Sequence, residues 1–479
     1  MSRVKPFKMI PGPASLPILG NLWLYKLGYE DPIFFHQTID NLYKRYGPLV
    51  KQNLGNKTII HAFSPEDAKT IYKSEGKMPY IMPLQDTILL FRKNENLTLG
   101  LGNSNGDEWY RLRNSLRHLL LTPKGIQHFT KGTDSVTSEF VHHLKRKRKE
   151  NGCIPELKTE LAKWSLETAG LMCFGSRKGY MSEAKRQKTE SLLKANKSVF
   201  YLSTILKFSL PFYEYCYSPV WNQLQKSETE ILNASVNNTK EALQEIEELK
   251  DDVDLLNERY NLLLNLMQKE EIAEKDIYIL TQSLFTDSLT TTVPALIYNM
   301  YCLALNPDKQ EKAYKEISRL IKPGEPITNE IINELSYIKA VIKETFRFYP
   351  VGTEISRILK SDVILSGYEV PKETHVNINM NSNFFKEEYF KQPKSFLPER
   401  WLRSNDFSSQ TDPFVLTPFG HGARTCLGRR FAEQNLYIAL AHLLSNFKFY
   451  LEPSDSSMIQ IFNILLFPSK YLNIRFQLR

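Results

Sequence analysis

One of the five cysteines in this 479-residue chain stands where a thiol could act. Cys426 lies in "TPFGHGARTCLGRRFAEQN", residues 417–435, a glycine-punctuated loop that runs straight into a helical pattern. Gly422 and Gly428 permit a tight turn and close backbone approach, and the amides at a helix start favour a thiolate. That environment suits a ligand to a metal or cofactor. A second stretch, "FTDSLTTTVP" (285–294), sets three consecutive threonines behind Asp287 and ahead of Pro294, inside what otherwise reads as a long helix. β-Branched runs and proline both disfavour a helix interior, so the stretch is either a poorly formed helix or a working turn. Asp287 precedes Thr290 by three residues and Thr291 by four, which keeps a carboxylate and two hydroxyls on one helical face.

Other pairs have helical spacing. Glu344 and Arg347 in "AVIKETFRFYP" are three apart and can form an ion pair; Trp109 and Arg113 in "DEWYRLR" lie one turn apart, as do Lys339 and Lys343. The elements that must position them are mostly helices. From about 107 to 320 the pattern is almost wholly helical, and a last long helix follows the cysteine over about 427–446. "GPLVKQNLGNKTIIHAF" predicts a small hairpin around Asn56, and "EISRILK", "VILSGYEVP" and "THVNINMN" predict short strands after residue 349. Residues 195–220, rich in aromatics and broken by Pro211 and Pro219, predict two short helices with an apolar tip, suited to a membrane surface or to the core. No repeat or linker divides the chain. The expected organisation is a basic, proline-rich arm over 1–30 and one catalytic domain over 31–479, mainly α with small β-sheets.

Composition excludes other classes. With 42% hydrophobic and 12% aromatic residues the chain can build a large core. A formal charge of +9 suits an acidic partner or a membrane surface, but no nucleic-acid module is present. Five cysteines without a C-x-x-C pair do not form a disulfide scaffold, which points to a reducing compartment. The first residues hold no apolar run of about 20, so no membrane-spanning anchor is expected there. Arg3, Lys5 and Lys8 precede the first acidic residue, Glu30, in keeping with the tail of an organelle presequence.

The spacing of Phe419, Gly422, Arg424, Cys426 and Gly428 is F-x-x-G-x-R-x-C-x-G, which resembles the haem-thiolate signature of the cytochrome P450 superfamily. The resemblance spans essentially the whole chain. It implies haem b buried between the long central helix and the cysteine loop, with Cys426 as the axial ligand to iron. It implies that Glu344 and Arg347, joined by Arg400 of "FLPERW", form a buried network fixing the loop that leads to the cysteine. It implies that Trp109 and Arg113 hydrogen-bond a haem propionate, and that Arg357 and Arg424 occupy two further propionate positions. A thiolate ligand favours O–O cleavage, which implies a monooxygenase using dioxygen. The family's [AG]-G-x-[DE]-T-T motif falls on residues 287–292, with Thr291 as the threonine that hydrogen-bonds dioxygen and helps deliver protons. Here Asp287 replaces a small residue, Ser288 a glycine and Thr290 the usual acid. The expected relay is Asp287, Thr290 and Thr291 with water, in a groove opened where Pro294 offers no N–H to the Thr290 carbonyl.

"CLGRRFAE" and "IKAVIKETFR" resemble the mitochondrial members. This implies that Lys339, Lys343, Arg429 and Arg430 meet an acidic, adrenodoxin-like 2Fe-2S ferredoxin with its NADPH reductase, on the matrix side of the inner membrane with peripheral membrane contact. "PFGHGARTC", "RRFAEQN" and "LSGYEVPK" resemble arthropod ecdysteroid hydroxylases of that group, which implies an apolar, sterol-like substrate, with oxidation at C22 as one reading. Substrate contacts are expected from the apolar loops 80–105, 195–220, 351–356 and 461–468. The alternatives are a xenobiotic-oxidising mitochondrial relative and a haem-thiolate isomerase or lyase acting on peroxides without dioxygen. A non-enzymatic haem sensor is disfavoured by the filled partner and propionate positions.

Overall fold

The prolines of the N-terminal arm hold it extended, and Gly12 lets it lie against the first strand. A Cβ at Gly12 would come 1.9 Å from the Lys51 carbonyl, while the Lys51 N–H donates to Pro11 O at 2.8 Å. In this computed structural model residues 4–322, 324–402, 412–452, 457–469 and 473–479 are described. The arm docks on the sheet region, with Lys5 bridging to Tyr368 and Gly20 to Leu54.

The strands form one four-stranded sheet and three two-stranded ones among the described residues. β1 (Leu49–Leu54) and β2 (Lys57–Ala62) make the expected hairpin around Gly55 and Asn56. β3 (Ile355–Ile358), β4 (Val363–Leu365), β5 (Tyr368–Val370) and β6 (His375–Ile378) follow residue 349 as the sequence predicts. β2 runs parallel to β6, which pairs antiparallel with β3. β7 (Phe447–Leu451) pairs with β10 (Ile474–Leu478), and β8 (Gln460–Asn463) with β9 (Leu465–Pro468). Alternation sends Leu49, Ile60, Val376 and Ile378 into one apolar cluster, and Val50 and Ile59 into another with Phe35, Phe208 and Phe462.

Helices carry the rest. The expected long central helix is two, Glu274–Thr290 and Thr292–Leu305, meeting at Thr291 with φ −122° and ψ −63°. Pro294 explains the break: it has no N–H for the Thr290 carbonyl, and the next bond runs from Ala295 N to Thr291 O at 3.1 Å. These helices pack on Leu157–Phe174, Pro219–Glu248 and Arg429–Asn446.

The two short helices expected over 195–220 are instead the ends of long ones. Arg186–Lys207 spans 22 residues and Pro219–Glu248 spans 30. Pro211 and Pro219 begin elements, as proline does at a first helical position, and the Ser218 hydroxyl accepts from Trp221 N at 3.3 Å. Between them Phe212, Tyr215 and Tyr217 project outward, with Tyr215 83% exposed. No described helix is long and apolar enough to cross a membrane.

Candidate active site

The cysteine loop is built around a glycine that cannot be replaced without displacing a charged neighbour. Gly422 has φ +73°, and a Cβ there would meet Glu75 Oε1 at 2.2 Å. The Thr425 N–H donates to Gly422 O at 3.1 Å and the Cys426 N–H to Phe419 O at 2.8 Å, closing the turn. The Phe419 ring stands edge-on to Phe346, 5.4 Å between centroids. The Gly428 N–H bonds to the Cys426 sulfur just before the Arg429–Asn446 helix begins.

Cys426 and Asp287 share an unusual setting. Both have accessible side-chain surface, yet protein surrounds both on all sides. Their surface therefore faces an internal cleft between the broken central helix and the cysteine loop. Burial pushes the Cys426 thiol up, Asp287 and Glu433 add to that, and the Gly428 N–H and Arg113 oppose it. Holding the sulfur as a thiolate here calls for a metal cation against it.

Around the cleft stand three arginines. Arg113, on the Gly106–Leu121 helix, donates to Thr425 O at 2.6 Å. Arg424 lies 3.9 Å from the Trp109 ring centroid and donates to Pro79 O, Ser104 O and Asn105 Oδ1 at 2.8, 3.0 and 2.7 Å. Arg357 donates to Glu75 Oε2 at 2.5 Å and to His421 O at 3.0 Å. Burial, then Arg357 and Arg113, push Arg424 down to about 9, with Glu75 opposing. Three guanidinium groups face one carboxylate, and the Trp109 N–H, on a side chain 2% exposed, has no protein acceptor among the described residues. Haem fits this donor set: its two propionates would balance the excess cations and accept from Trp109. Its four ring nitrogens would complete coordination around a single thiolate, where the described residues offer no cluster of three His, Cys, Asp or Glu able to hold a metal ion.

Across the cleft, the Thr290 and Thr291 hydroxyls donate to the main-chain carbonyl of Asp287 at 3.1 and 2.8 Å. Neither hydroxyl bonds the Asp287 carboxylate directly, because a threonine hydroxyl three or four residues on reaches the main-chain carbonyl first. Thr290 is buried and Thr291 half-buried. Burial raises the Asp287 carboxyl to about 7, with Arg92 opposing and Glu228 adding. Arg92, 6% exposed, donates to Leu99 O at 2.6 Å; Glu228, 4% exposed, accepts from Gln282 Nε2 at 2.8 Å. Neither residue, nor Glu75, was singled out from sequence. Each reaches the site across long stretches of chain, and no local spacing signals it.

The structure brings Glu344, Arg347 and Arg400 together in the core. Arg347 donates to both oxygens of Glu344, at 3.0 and 2.7 Å, and Arg400 Nε donates to Oε1 at 3.0 Å. Lys339, Lys343 and Arg429 lie near one another around Glu433. The Lys343 ammonium sits 4.1 Å from the Trp401 ring centroid. Arg430 acts on Tyr437 together with Arg429 and Glu433, while its Nε donates to Leu121 O at 2.5 Å, tying the cysteine-loop helix to the end of the Gly106–Leu121 helix.

A cleft that fits haem above a lone thiolate agrees with the comparisons. The model of the family "Cytochrome P450" matches residues 10–476, and the chain belongs to that family. It is a cytochrome P450 monooxygenase, and its cofactor is haem bound through a cysteine thiolate. "Probable cytochrome P450 CYP44" of Caenorhabditis elegans is 35% identical over 471 residues, 97% of this chain and 92% of that one. "Cytochrome P450 302a1, mitochondrial" of Drosophila melanogaster is 28% identical over 465 residues, 95% and 92% of the two chains. "Sterol 26-hydroxylase, mitochondrial" of Rattus norvegicus is 28% identical over 486 residues, 99% and 89% of the two chains. The nematode protein is thus more similar than the insect one, so the short motifs do not single out an insect branch.

Proposed function

We propose that the chain hydroxylates a sterol-like substrate with electrons from an acidic 2Fe-2S ferredoxin and its NADPH reductase, on the matrix side of the mitochondrial inner membrane. The observation that carries the site assignment is the pairing of Cys426 with Asp287 across an enclosed cleft rimmed by three arginines. Cys426 would ligate the haem iron, and Trp109, Arg113, Arg357 and Arg424 would hold the propionates, with Phe419 and Gly428 shaping the sulfur's surroundings. When bound, haem supplies the dioxygen chemistry that puts one oxygen atom into a C–H bond and releases the other as water, consuming two electrons and two protons.

This chain's residues do the rest. The Asp287 carboxyl, neutral below about pH 7, holds a proton at the cleft wall and takes the place of the acid that Thr290 does not supply. Thr291 offers its hydroxyl beside it and Thr290 braces the turn. The Glu344, Arg347 and Arg400 network keeps the chain before the cysteine loop in place, while Lys339, Lys343 and Arg429 present positive charge to the ferredoxin. Relatives named mitochondrial, one of them a sterol hydroxylase, support the substrate class and compartment. The exposed Phe212, Tyr215 and Tyr217 suit peripheral membrane contact.

Binding difference spectra across a sterol panel that includes ecdysteroid precursors test the substrate. Turnover with ferredoxin is then compared with turnover on peroxide alone. Ferredoxin-supported hydroxylation of a sterol is expected, with C22 as one site to look for; turnover of a peroxide alone would place the chain among isomerases or lyases.

A further inference from the structure

The core face of the helix Pro65–Ser74 ends in a charge. Ala68, Ile71 and Tyr72 follow one another at helical spacing and pack into one apolar cluster with Leu359, Leu365 and Val376. The next position on that stripe is Glu75, which keeps helical backbone angles and is 8% exposed. A buried carboxylate is costly unless it is paired, and β3 supplies the partner. Arg357 Nε donates to Glu75 Oε2 at 2.5 Å, and the guanidinium carbon lies 5.4 Å from the Tyr72 ring centroid.

This pair is only partly satisfied. Glu75 Oε1 accepts no hydrogen bond among the described residues. It lies against the cysteine loop, where a Cβ on Gly422 would come within 2.2 Å of it. Glycine at 422 therefore leaves room for a carboxylate as well as making the turn. Arg357 uses three N–H groups, on Glu75 Oε2, Ser356 O and His421 O, the last two at 2.8 and 3.0 Å. A guanidinium has five, so two remain for a ligand. Because the group is planar, fixing Nε on Glu75 fixes the direction of those two as well. Burial pushes the Glu75 pKa up, and Arg357, His421 and Arg424 oppose it. With both partners buried, water screens this charge weakly, and its field reaches whatever Arg357 holds.

We propose that Glu75 is a positioning residue for haem reduction: it aims the two remaining Arg357 N–H groups at a propionate, and its negative charge beside them makes the haem harder to reduce. This rests on Arg357 being part of the propionate clamp. The electron that the charge opposes is the one delivered by the reduced ferredoxin, taking ferric haem to ferrous.

Spectroelectrochemical titration of the holoenzyme, at a pH well above the carboxylate range, measures the midpoint for one-electron reduction. Glu75→Gln keeps the length of the side chain and an acceptor for Arg357 Nε but loses the charge; Glu75→Asp keeps the charge and loses length. Glu75→Gln is expected to favour the ferrous form roughly 3- to 10-fold, a rise of about 30–60 mV at about 59 mV per tenfold. Glu75→Asp is expected to stay within about 2-fold of the wild type. A carboxylate with a structural role alone predicts the reverse order, the equal-sized Gln staying near wild type and the shorter Asp moving. Transfer of haem to an excess of acceptor protein reads the aiming of Arg357: Glu75→Ala should lose haem about 10-fold faster than the wild type. Haem content and circular dichroism report folding of each variant. An unchanged midpoint in Glu75→Gln, a larger shift in Glu75→Asp than in Glu75→Gln, or unchanged haem loss in folded Glu75→Ala overturns the proposal. Arg357→Leu is measured beside them. Unchanged haem loss there removes the propionate reading and the proposal with it, whereas fast loss there with no response at Glu75 overturns the proposal alone.

Discussion

Two groups of buried charge behave oppositely in this molecule. Around Glu344 every acceptor is used: Oε1 takes bonds from Arg347, Arg400 and Leu397 N, and Oε2 from Arg347 and the Trp401 indole. The spare guanidinium nitrogens go to carbonyls, including Phe384 O and Pro393 O at 2.7 Å. Around the cleft the set stays open: of three arginines only Arg357 bonds a carboxylate, Glu75, while Asp287 is raised toward neutrality, and both Asp287 and Cys426 present surface to the interior. A satisfied buried network holds structure, because breaking it strands a charge. A buried set left unsatisfied by protein is one arranged for something else to complete it.

The sharpest contrast comes from Glu344→Ala, which leaves two buried guanidinium groups without their carboxylate. It is expected to lower stability by about 3–5 kcal/mol and to abolish haem-loaded protein, read by denaturant midpoint and haem yield. A normal midpoint would remove the distinction between the two regions. In the open region Asp287→Asn is expected to leave folding intact and cut turnover by roughly 100-fold, the lower range for a lost general acid. In wild type the carboxyl is protonated below about 7 and ionised above it. Product formed per NADPH should therefore be highest at low pH and fall as pH rises through about 7, whereas Asp287→Asn should be low and flat. Arg424→Leu removes a cation pushed down to about 9 together with its donors to Pro79 O, Ser104 O and Asn105 Oδ1, so stability should fall by about 1–3 kcal/mol, less than for Glu344→Ala. Haem loss to an acceptor protein should accelerate about 10-fold, as for other groups that support a cofactor. The smallest effect belongs to the surface: Lys343→Glu should raise the KM for ferredoxin about 2- to 5-fold at low salt, as exposed charges do, with kcat unchanged.

How much of this was legible from sequence depended on distance along the chain. The cysteine loop was readable because its five fixed residues fall within ten positions and do their work locally, as the Gly422 turn shows. The hairpin at Asn56 and the short strands after residue 349 were readable for the same reason. The prolines at 211 and 219 marked a real break with an exposed aromatic tip, but not the lengths of the helices beside it, because a helix's far end depends on packing rather than on the proline that starts or follows it. Spacing placed Asp287, Thr290 and Thr291 on one turn, but the bonds from both hydroxyls to the Asp287 carbonyl are local contacts that a shared face does not specify. Glu75, Arg92 and Glu228 were missed because their partners lie far away, Glu75 meeting Arg357 across 282 residues. The buried polar side chains Gln52, His61 and Asn377, which share one sheet face, were missed because β1, β2 and β6 come from both ends of the chain, and alternation within any one strand does not reveal what its neighbours add.

The central claim is that the cleft is completed by haem on the Cys426 sulfur. The reduced carbon monoxide spectrum tests it most directly. The wild-type protein should give the red-shifted Soret band of a thiolate-ligated haem, and Cys426→His should bind haem but give the band of a neutral axial ligand. A thiolate-type band that survives in Cys426→His would contradict the assignment.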